Sequence, residues 1–125
     1  MAKGGRFGGW VLSVEDGHAG YAYNNLGELT IIKSPNPLRP PPQSVVVEIQ
    51  YEGEGAGKSA VISLEAADQP TAVAKLDSSV PSRFSIDEGA DVGRDRGSPV
   101  LTRQITDTRQ SPFSGKIKYV TIEVE

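Results

Sequence analysis

The amino-acid sequence predicts an all-β protein, and within that class an antiparallel β-sandwich of the jelly-roll type. Three observations predict this fold. No segment sustains a helical period, about eight short segments are rich in β-branched and aromatic residues, and turn signals recur between them. The 125 residues are expected to form one domain, residues 1–125, which is long enough to bury an ordinary hydrophobic core without disulfide bonds.

Three strands and a proline-rich segment account for the start of the chain. The strands are predicted over residues 10–14, 20–23 and 29–33, with turns over residues 15–18 and 24–27. Tyr21 and Tyr23 are two positions apart and therefore share one face of their strand. Residues 34–43 contain five prolines, which lack the N–H that a central strand must donate. We expect this segment to cross from one sheet to another, because neither side has enough core to fold alone as a separate domain.

The rest of the chain predicts a second set of strands and a closing strand. Strands are predicted over residues 45–51, 60–64 and 71–75, short ones over 84–86 and 91–93, and a last one over 116–124. The glycine-rich residues 53–58 predict a hairpin loop and not a phosphate-binding loop, since no helix follows them. In the last strand Ile117 and Tyr119 lie opposite Val120 and Ile122, which predicts either a bulge or burial on both sides. The expected core includes Val47, Ile49, Ile62, Val120 and Ile122.

Composition narrows the classes of partner and compartment. The net charge is −3, with 13 basic and 16 acidic residues interspersed, so no basic stripe indicates a nucleic-acid partner. Cysteine is absent, which excludes disulfides and thiolate metal sites. The start of the chain shows no signal peptide, and no apolar run is long enough to span a membrane. We therefore expect a soluble chain without a membrane partner, cytoplasmic by default.

Three segments together carry a resemblance to a known family. Residues 4–10 read Gly-Gly-Arg-Phe-Gly-Gly-Trp, and residues 112–117 read Pro-Phe-Ser-Gly-Lys-Ile. Between them, residues 80–100 contain Val-Pro-Ser-Arg-Phe and then Asp-Val-Gly-Arg-Asp. In this order they resemble the C-terminal β-domain of bacterial type I, arylsulfatase-like sulfatases, over nearly the whole chain. Residues 91–93 and 113–122 also resemble strand signatures of laminin-G and concanavalin-like sandwiches.

The resemblance implies a role that is not catalytic by itself. Such a domain packs on a large α/β catalytic domain of a sulfate-ester hydrolase, serves as a packing or oligomerisation module and can form part of the rim of the substrate cleft. It implies that residues 21–27 lie against the catalytic body. The candidate interface or cleft-rim residues are Trp10, Tyr21, Tyr23, Asn24, Asn25, Arg94 and Asp95. Arg94 could contact a sulfate ester bidentately or pair with the neighbouring Asp95.

The sequence near the N-terminus also predicts a binding partner, because a strand edge there is expected to be unpaired. In the family, the glycine-rich motif over residues 4–10 is preceded by at least one strand of the same sandwich, which this chain is expected to lack. The segment that contains Phe7, Trp10, Leu12 and Val14 would then present an unpaired edge. We expect self-association, or binding of a sulfatase catalytic domain, through this N-terminal edge.

A short match to the sulfatase nucleophile motif is interpreted as a decoy. Residues 79–83 read Ser-Val-Pro-Ser-Arg, the form in which a Cys or Ser of the family becomes formylglycine. The Thr-Gly-Arg that continues the family motif is replaced here by Glu88, Gly89 and Ala90, adjacent Asp-Asp metal ligands are missing, and His18 is the only histidine. We therefore assign Ser79 no catalytic role, and expect neither enzymatic activity from this chain alone nor a cofactor.

Two alternatives remain open from the residues. Asp87, Asp91 and Asp95 could hold Ca²⁺ through their carboxylates, or could form a solvated acidic turn. Trp10, Tyr21 and Tyr23 could stack on a sugar, which would make the chain a free-standing, lectin-like carbohydrate-binding sandwich. Aromatic residues alternating on neighbouring strands otherwise belong to the core or to an interface.

Overall fold

The computed structural model describes residues 1–5, 7–40, 43–81, 89–94, 100 and 113–124. Their regular secondary structure consists of strands, and none of these residues is helical, so the all-β prediction is confirmed. The described residues form eight strands: β1 (Ala2–Gly5), β2 (Gly8–Glu15), β3 (His18–Asn25), β4 (Glu28–Lys33), β5 (Val45–Glu52), β6 (Ser59–Ala66), β7 (Ala72–Leu76) and β8 (Ala90–Asp91). They form two antiparallel sheets. Sheet A has the order β4-β3-β2-β1-β8 and sheet B has the order β5-β6-β7.

The two sheets enclose the main hydrophobic core, as a sandwich requires. Sheet A contributes Ala19, Tyr21, Tyr23 and Ile32, and sheet B contributes Ala60, Ile62, Leu64 and Leu76. Alternation places these side chains on the inner faces, because successive residues of a strand point to opposite sides. Full burial of a large apolar side chain stabilises the folded state by about 1.5–3 kcal/mol, so this cluster is a major source of stability.

The proline-rich segment is the crossover between the sheets, as predicted. It leaves sheet A after β4 and enters sheet B at β5. Its first residue is fixed to the start of β3, because the Ser34 amide donates to the Ala19 carbonyl at 2.8 Å and the Ala19 amide donates to the Ser34 hydroxyl at 3.1 Å. Leu38 packs against the main core, and its amide donates to the Gly17 carbonyl. The crossover is therefore part of the sandwich and not a domain linker.

The expected unpaired edge at the N-terminus is wrong, because β1 occupies it. β1 pairs with β2 on the side away from β3, and Met1 extends the ladder by exchanging two 2.8 Å hydrogen bonds with Leu12. The glycines of the motif permit this pairing. Gly4 has a φ of 79°, and a Cβ at Gly9 would collide with the carbonyl oxygen of Lys3. Residues 2–5, which include the first two glycines of the motif, thus pair with the edge of β2 that was expected to be free.

The predicted closing strand is also wrong. Residues 113–124 form no strand, and Val120 and Ile122 are 43% and 58% exposed. Ile62 is buried as predicted, and Val47 and Ile49 are half-buried at the margin of the core. Alternation showed that the last segment can form a strand, but a strand also needs a neighbour with a free edge. Residues 84–86 lie outside the described residues, and the strand expected over 91–93 is the shorter β8.

A second, smaller cluster lies on the outer face of sheet A. It contains Ala2, Val11, Ala22 and Val100, with Leu29 packed against it. Asn24, on the same face as Ala22, donates from its Nδ2 to the Val100 carbonyl at 3.2 Å. The centre of sheet A is therefore buried on both faces, which the alternating pattern of its strands did not indicate.

Candidate functional site

The aromatic residues proposed for ligand contact lie inside the domain. Tyr21 and Tyr23 are buried, while Trp10 is half-buried and stacks on Tyr21 with ring centroids 5.9 Å apart. Burial raises the pKa of Tyr21, because the charged phenolate would lose its hydration, and the nearby Tyr23 and Tyr51 act in the same direction. Of the three aromatic residues expected to form a sugar-stacking face, Tyr21 and Tyr23 are thus buried in the core between the sheets, and Trp10 lies half-buried at its margin.

Tyr23 has a structural role at one end of the sandwich. Its hydroxyl oxygen accepts a 3.1 Å hydrogen bond from the Val80 amide, in the segment that follows β7. The pKa of Tyr23 is raised to about 12, because burial raises it strongly and the neighbouring Tyr51 adds to this, while the Val80 hydrogen bond lowers it. The phenol is therefore neutral at physiological pH and holds the end of sheet B against sheet A.

Asn24 and Asn25 hold the turn between β3 and β4. The Asn24 Oδ1 accepts a 2.7 Å hydrogen bond from the Gly27 amide, while its buried Nδ2 donates to Val100. The Asn25 Nδ2 donates to both the carbonyl and the hydroxyl oxygen of Ser78, at 3.0 and 2.8 Å. These contacts fix the position of the turn. They also correct the expectation that Asn24 contacts a partner, because Asn24 is 1% exposed.

The turn that these asparagines hold presents an exposed leucine. Leu26 and Gly27 both have positive φ, 51° and 98°, and form a two-residue hairpin turn between β3 and β4. Such turns favour Gly, which has no Cβ to crowd the carbonyl oxygen, and Asn or Asp, whose short polar side chains offset this strain by local hydrogen bonds. Asp16 and Gly17 form the corresponding turn between β2 and β3, with φ values of 50° and 78° and the expected polar residue. Leucine is therefore an unusual residue at this turn position, and Leu26 is 69% exposed.

A second exposed apolar side chain lies beside Leu26. Phe7 directly precedes Gly8, and Gly8 is paired with Asn25 in the β2–β3 ladder, so Phe7 and Leu26 stand at the same end of sheet A. Phe7 is 66% exposed. We call these two residues the apolar tip. Single exposed apolar residues are common on protein surfaces, but here two of them stand at the same end of sheet A and one occupies a strained backbone position.

The other candidate residues lie in or next to β8, or outside the described residues. Arg94 is exposed just beyond β8, and Asp91 is half-buried within β8, where it pairs with Ala2. Asp87 and Asp95 lie outside the described residues, so the calcium and anion-contact predictions remain predictions. Among the residues that the structure describes, no group of three His, Cys, Asp or Glu side chains could hold a metal ion.

Ser79 and His18 both take part in the scaffold. Ser79 is 5% exposed, and its amide donates to the Lys58 carbonyl at 2.7 Å. The Nδ1 of His18 lies 2.9 Å from the carbonyl oxygen of Ser34, in the crossover. Ser79 is therefore held within the scaffold, while Ser82 and Arg83 of the same motif lie outside the described residues.

The segment expected to face a partner, residues 21–27, contains both buried and exposed side chains. Residues 21–27 were expected to face a partner, yet within them Leu26 is the exposed apolar residue, while the aromatic residues are buried. The signal was present, because a leucine stood before glycine where a two-residue hairpin turn normally has Asn or Asp. In the part of the chain that the structure describes, no helix could cross a membrane.

Comparison with known proteins found no matching family model, no matching curated protein and no matching solved structure.

Proposed function

We propose that this chain is a non-catalytic docking module, the C-terminal β-sandwich of an arylsulfatase-like sulfate-ester hydrolase, with the jelly-roll topology of concanavalin-like domains. The observation that carries the proposal is the apolar tip. Leu26 is held in a left-handed turn and exposed beside Phe7, at the end of the segment that the family resemblance assigns to the catalytic body. The occupant we propose for the tip is the surface of the α/β catalytic domain, in the same chain or as a separate one.

The free energy available from burying the apolar tip suits a docking contact that a tether or further interface residues strengthen. Complete burial of Phe7 and Leu26 would supply about 1.5–3 kcal/mol for each side chain. Free association of two proteins loses about 4–15 kcal/mol in translational and rotational freedom. Two anchors alone are thus too weak for tight binding between separate molecules. They are sufficient when a covalent tether raises the effective concentration or when neighbouring residues enlarge the interface.

The carbohydrate-binding alternative has less support. Two of its three platform residues, Tyr21 and Tyr23, are buried between the sheets and present no ring to a sugar. We therefore prefer the docking module.

The test is a binding experiment with matched turn variants. The probe is the α/β catalytic domain of a bacterial arylsulfatase, prepared without its own C-terminal domain, and binding is measured by calorimetry. We expect the wild-type chain to bind and to raise the melting temperature of the catalytic domain. The double variant Phe7→Ser with Leu26→Asn should bind at least tenfold more weakly. Asp16→Asn, in the equivalent turn at the opposite end of β3, is the control and should bind like wild type.

Two results would contradict the proposal. One is the absence of binding by the wild-type chain to such catalytic domains. The other is binding that the double variant retains in full, which would place the interface elsewhere on the sandwich.

A further inference from the structure

Among the described residues, β5 forms one edge of sheet B beside the main core, pairing with β6 and with no strand on its other side. Tyr51, at the end of β5, is 49% exposed, although Val47 and Ile49 on the same face pack against the core. Their partners on β6 are completely covered, with Ile62 and Leu64 each 1% exposed. The inner face of β5 is therefore covered on one side only.

The two sheets also differ in width. β4 contacts β7 and β3 contacts β6, so β5 lies towards β2, and β1 has no counterpart in the three-stranded sheet. Lys3 of β1 pairs with Trp10, and therefore lies on the face of sheet A that is turned to sheet B, yet Lys3 is exposed. Trp10 beside it is only half-buried. Lys3 and Trp10 are therefore incompletely covered by the described strands of sheet B.

A strand-forming segment without a ladder is present in the same chain. Residues 116–124 alternate apolar and polar residues, but they pair with no described strand. Both faces of the segment carry exposed apolar side chains, with Tyr119 82% and Val124 91% exposed. A segment of this kind gains hydrogen bonds and apolar contacts when it is added to an open sheet edge.

Residues 116–124 and β5 match in an antiparallel register. Placing Lys116 opposite Glu52 brings Ile117 and Tyr119 beside Tyr51 and Ile49 on the inner face. The same register places Ile122 beside Val46, which is 54% exposed on the outer face. At the Glu52 end of this register a lysine meets a glutamate, and Ile117 and Tyr119 meet apolar side chains of β5, contacts of the kind that stabilise antiparallel pairs.

We propose that β5 is an acceptor for an added strand, and that the strand is residues 116–124 of a second copy of this chain. Each copy presents both the open edge and the unpaired segment, so two copies can exchange segments reciprocally around a twofold axis. Within one copy the segment stays off the sheet with its side chains in solvent. This dimer is independent of the docking function, because the apolar tip lies on sheet A.

The test combines oligomeric state with a charge swap. Analytical ultracentrifugation at micromolar concentration should show a dimer for the full chain. Tyr119→Asp with Ile122→Lys should give monomers that remain folded, because both side chains are exposed within one copy and near-ultraviolet circular dichroism still reports the packed Trp10. Lys116→Glu and Glu52→Lys should each weaken the dimer several-fold, and the two together should restore it. Val73→Lys, on the outer face of β7, is the control and should leave the dimer unchanged.

Hydrogen exchange distinguishes pairing of residues 116–124 with β5 of a second copy from pairing with β5 of the same copy. Protection of residues 116–124 should increase with protein concentration in parallel with dimer formation. Three outcomes would overturn the proposal: a monomer at micromolar concentration, a dimer that the donor variants leave intact, or protection of this segment that persists unchanged on dilution. The last would show that the segment pairs with its own β5.

Discussion

The hydroxyl oxygen of Tyr23 accepts a hydrogen bond from the backbone N–H of Val80 at 3.1 Å, 57 positions later in the chain. This contact joins the middle of sheet A to the segment that leaves sheet B. It is made by a side chain that is 1% exposed, so water cannot easily replace it.

We expect Tyr23→Phe to lower the free energy of unfolding by about 1–3 kcal/mol, because the Val80 N–H would lose its acceptor in a partly buried position. Urea denaturation followed by circular dichroism measures the change. Tyr119→Phe is the matched control, since Tyr119 is 82% exposed, and it should leave the urea midpoint unchanged. Equal stability of the Tyr23 variant and wild type would show that the hydroxyl contributes nothing.

The buried tyrosines predict a loss of stability at alkaline pH. Their pKa values in the folded state are above the ordinary 10.0, and that of Tyr23 is raised to about 12 by burial. The unfolded chain therefore releases these protons at lower pH than the folded chain. The stability that comes from the neutral phenols is complete below pH 10 and is lost as the pH rises through the folded-state value. Denaturation at pH 9 and pH 11 should show this fall, and Tyr23→Phe should reduce it. A free energy of unfolding that is equal at the two pH values would be evidence against it.

Leu26→Asn is expected to stabilise the isolated domain by about 1 kcal/mol, because asparagine tolerates the left-handed conformation that strains leucine. Thermal unfolding measures the gain, and Asp16→Asn in the equivalent turn should produce little change. A destabilised variant would mean that Leu26 makes contacts within the domain that outweigh its strain. Higher stability together with weaker binding would show that function, and not folding, requires this leucine.

Substitutions to alanine should show that Ile62 belongs to the core of the monomer and that Ile122 does not. Ile62→Ala is expected to cost about 2–5 kcal/mol, because it leaves a cavity between the sheets. Ile122→Ala, at a position that is 58% exposed, should change stability by less than about 0.5 kcal/mol when measured at a dilution that keeps the chain monomeric. Similar costs for both variants would place residues 116–124 in the monomer core.

Local features of the fold could be predicted because they depend on neighbouring residues. The strands over residues 10–14, 29–33 and 45–51 follow from β-branched and aromatic residues, and the crossover follows from prolines that cannot join a sheet. The positive φ at Gly17 and Gly27 follows from the turn sequences in the same way. In each case the physical cause is confined to a few residues and can be read directly from them.

The tertiary structure decided which strands became neighbours and which side chains became surface. Ala2–Gly5 was too short and too rich in glycine to predict as a strand, and it forms β1 because β2 offers it a ladder. Residues 116–124 have a strong strand pattern but pair with no described strand. Tyr21 and Leu26 look equally suited to an interface in the sequence, yet packing of the two sheets buries the tyrosine and leaves the leucine in solvent. Pairing and burial depend on distant parts of the chain, so a local pattern can state what a segment is able to form but not what it meets.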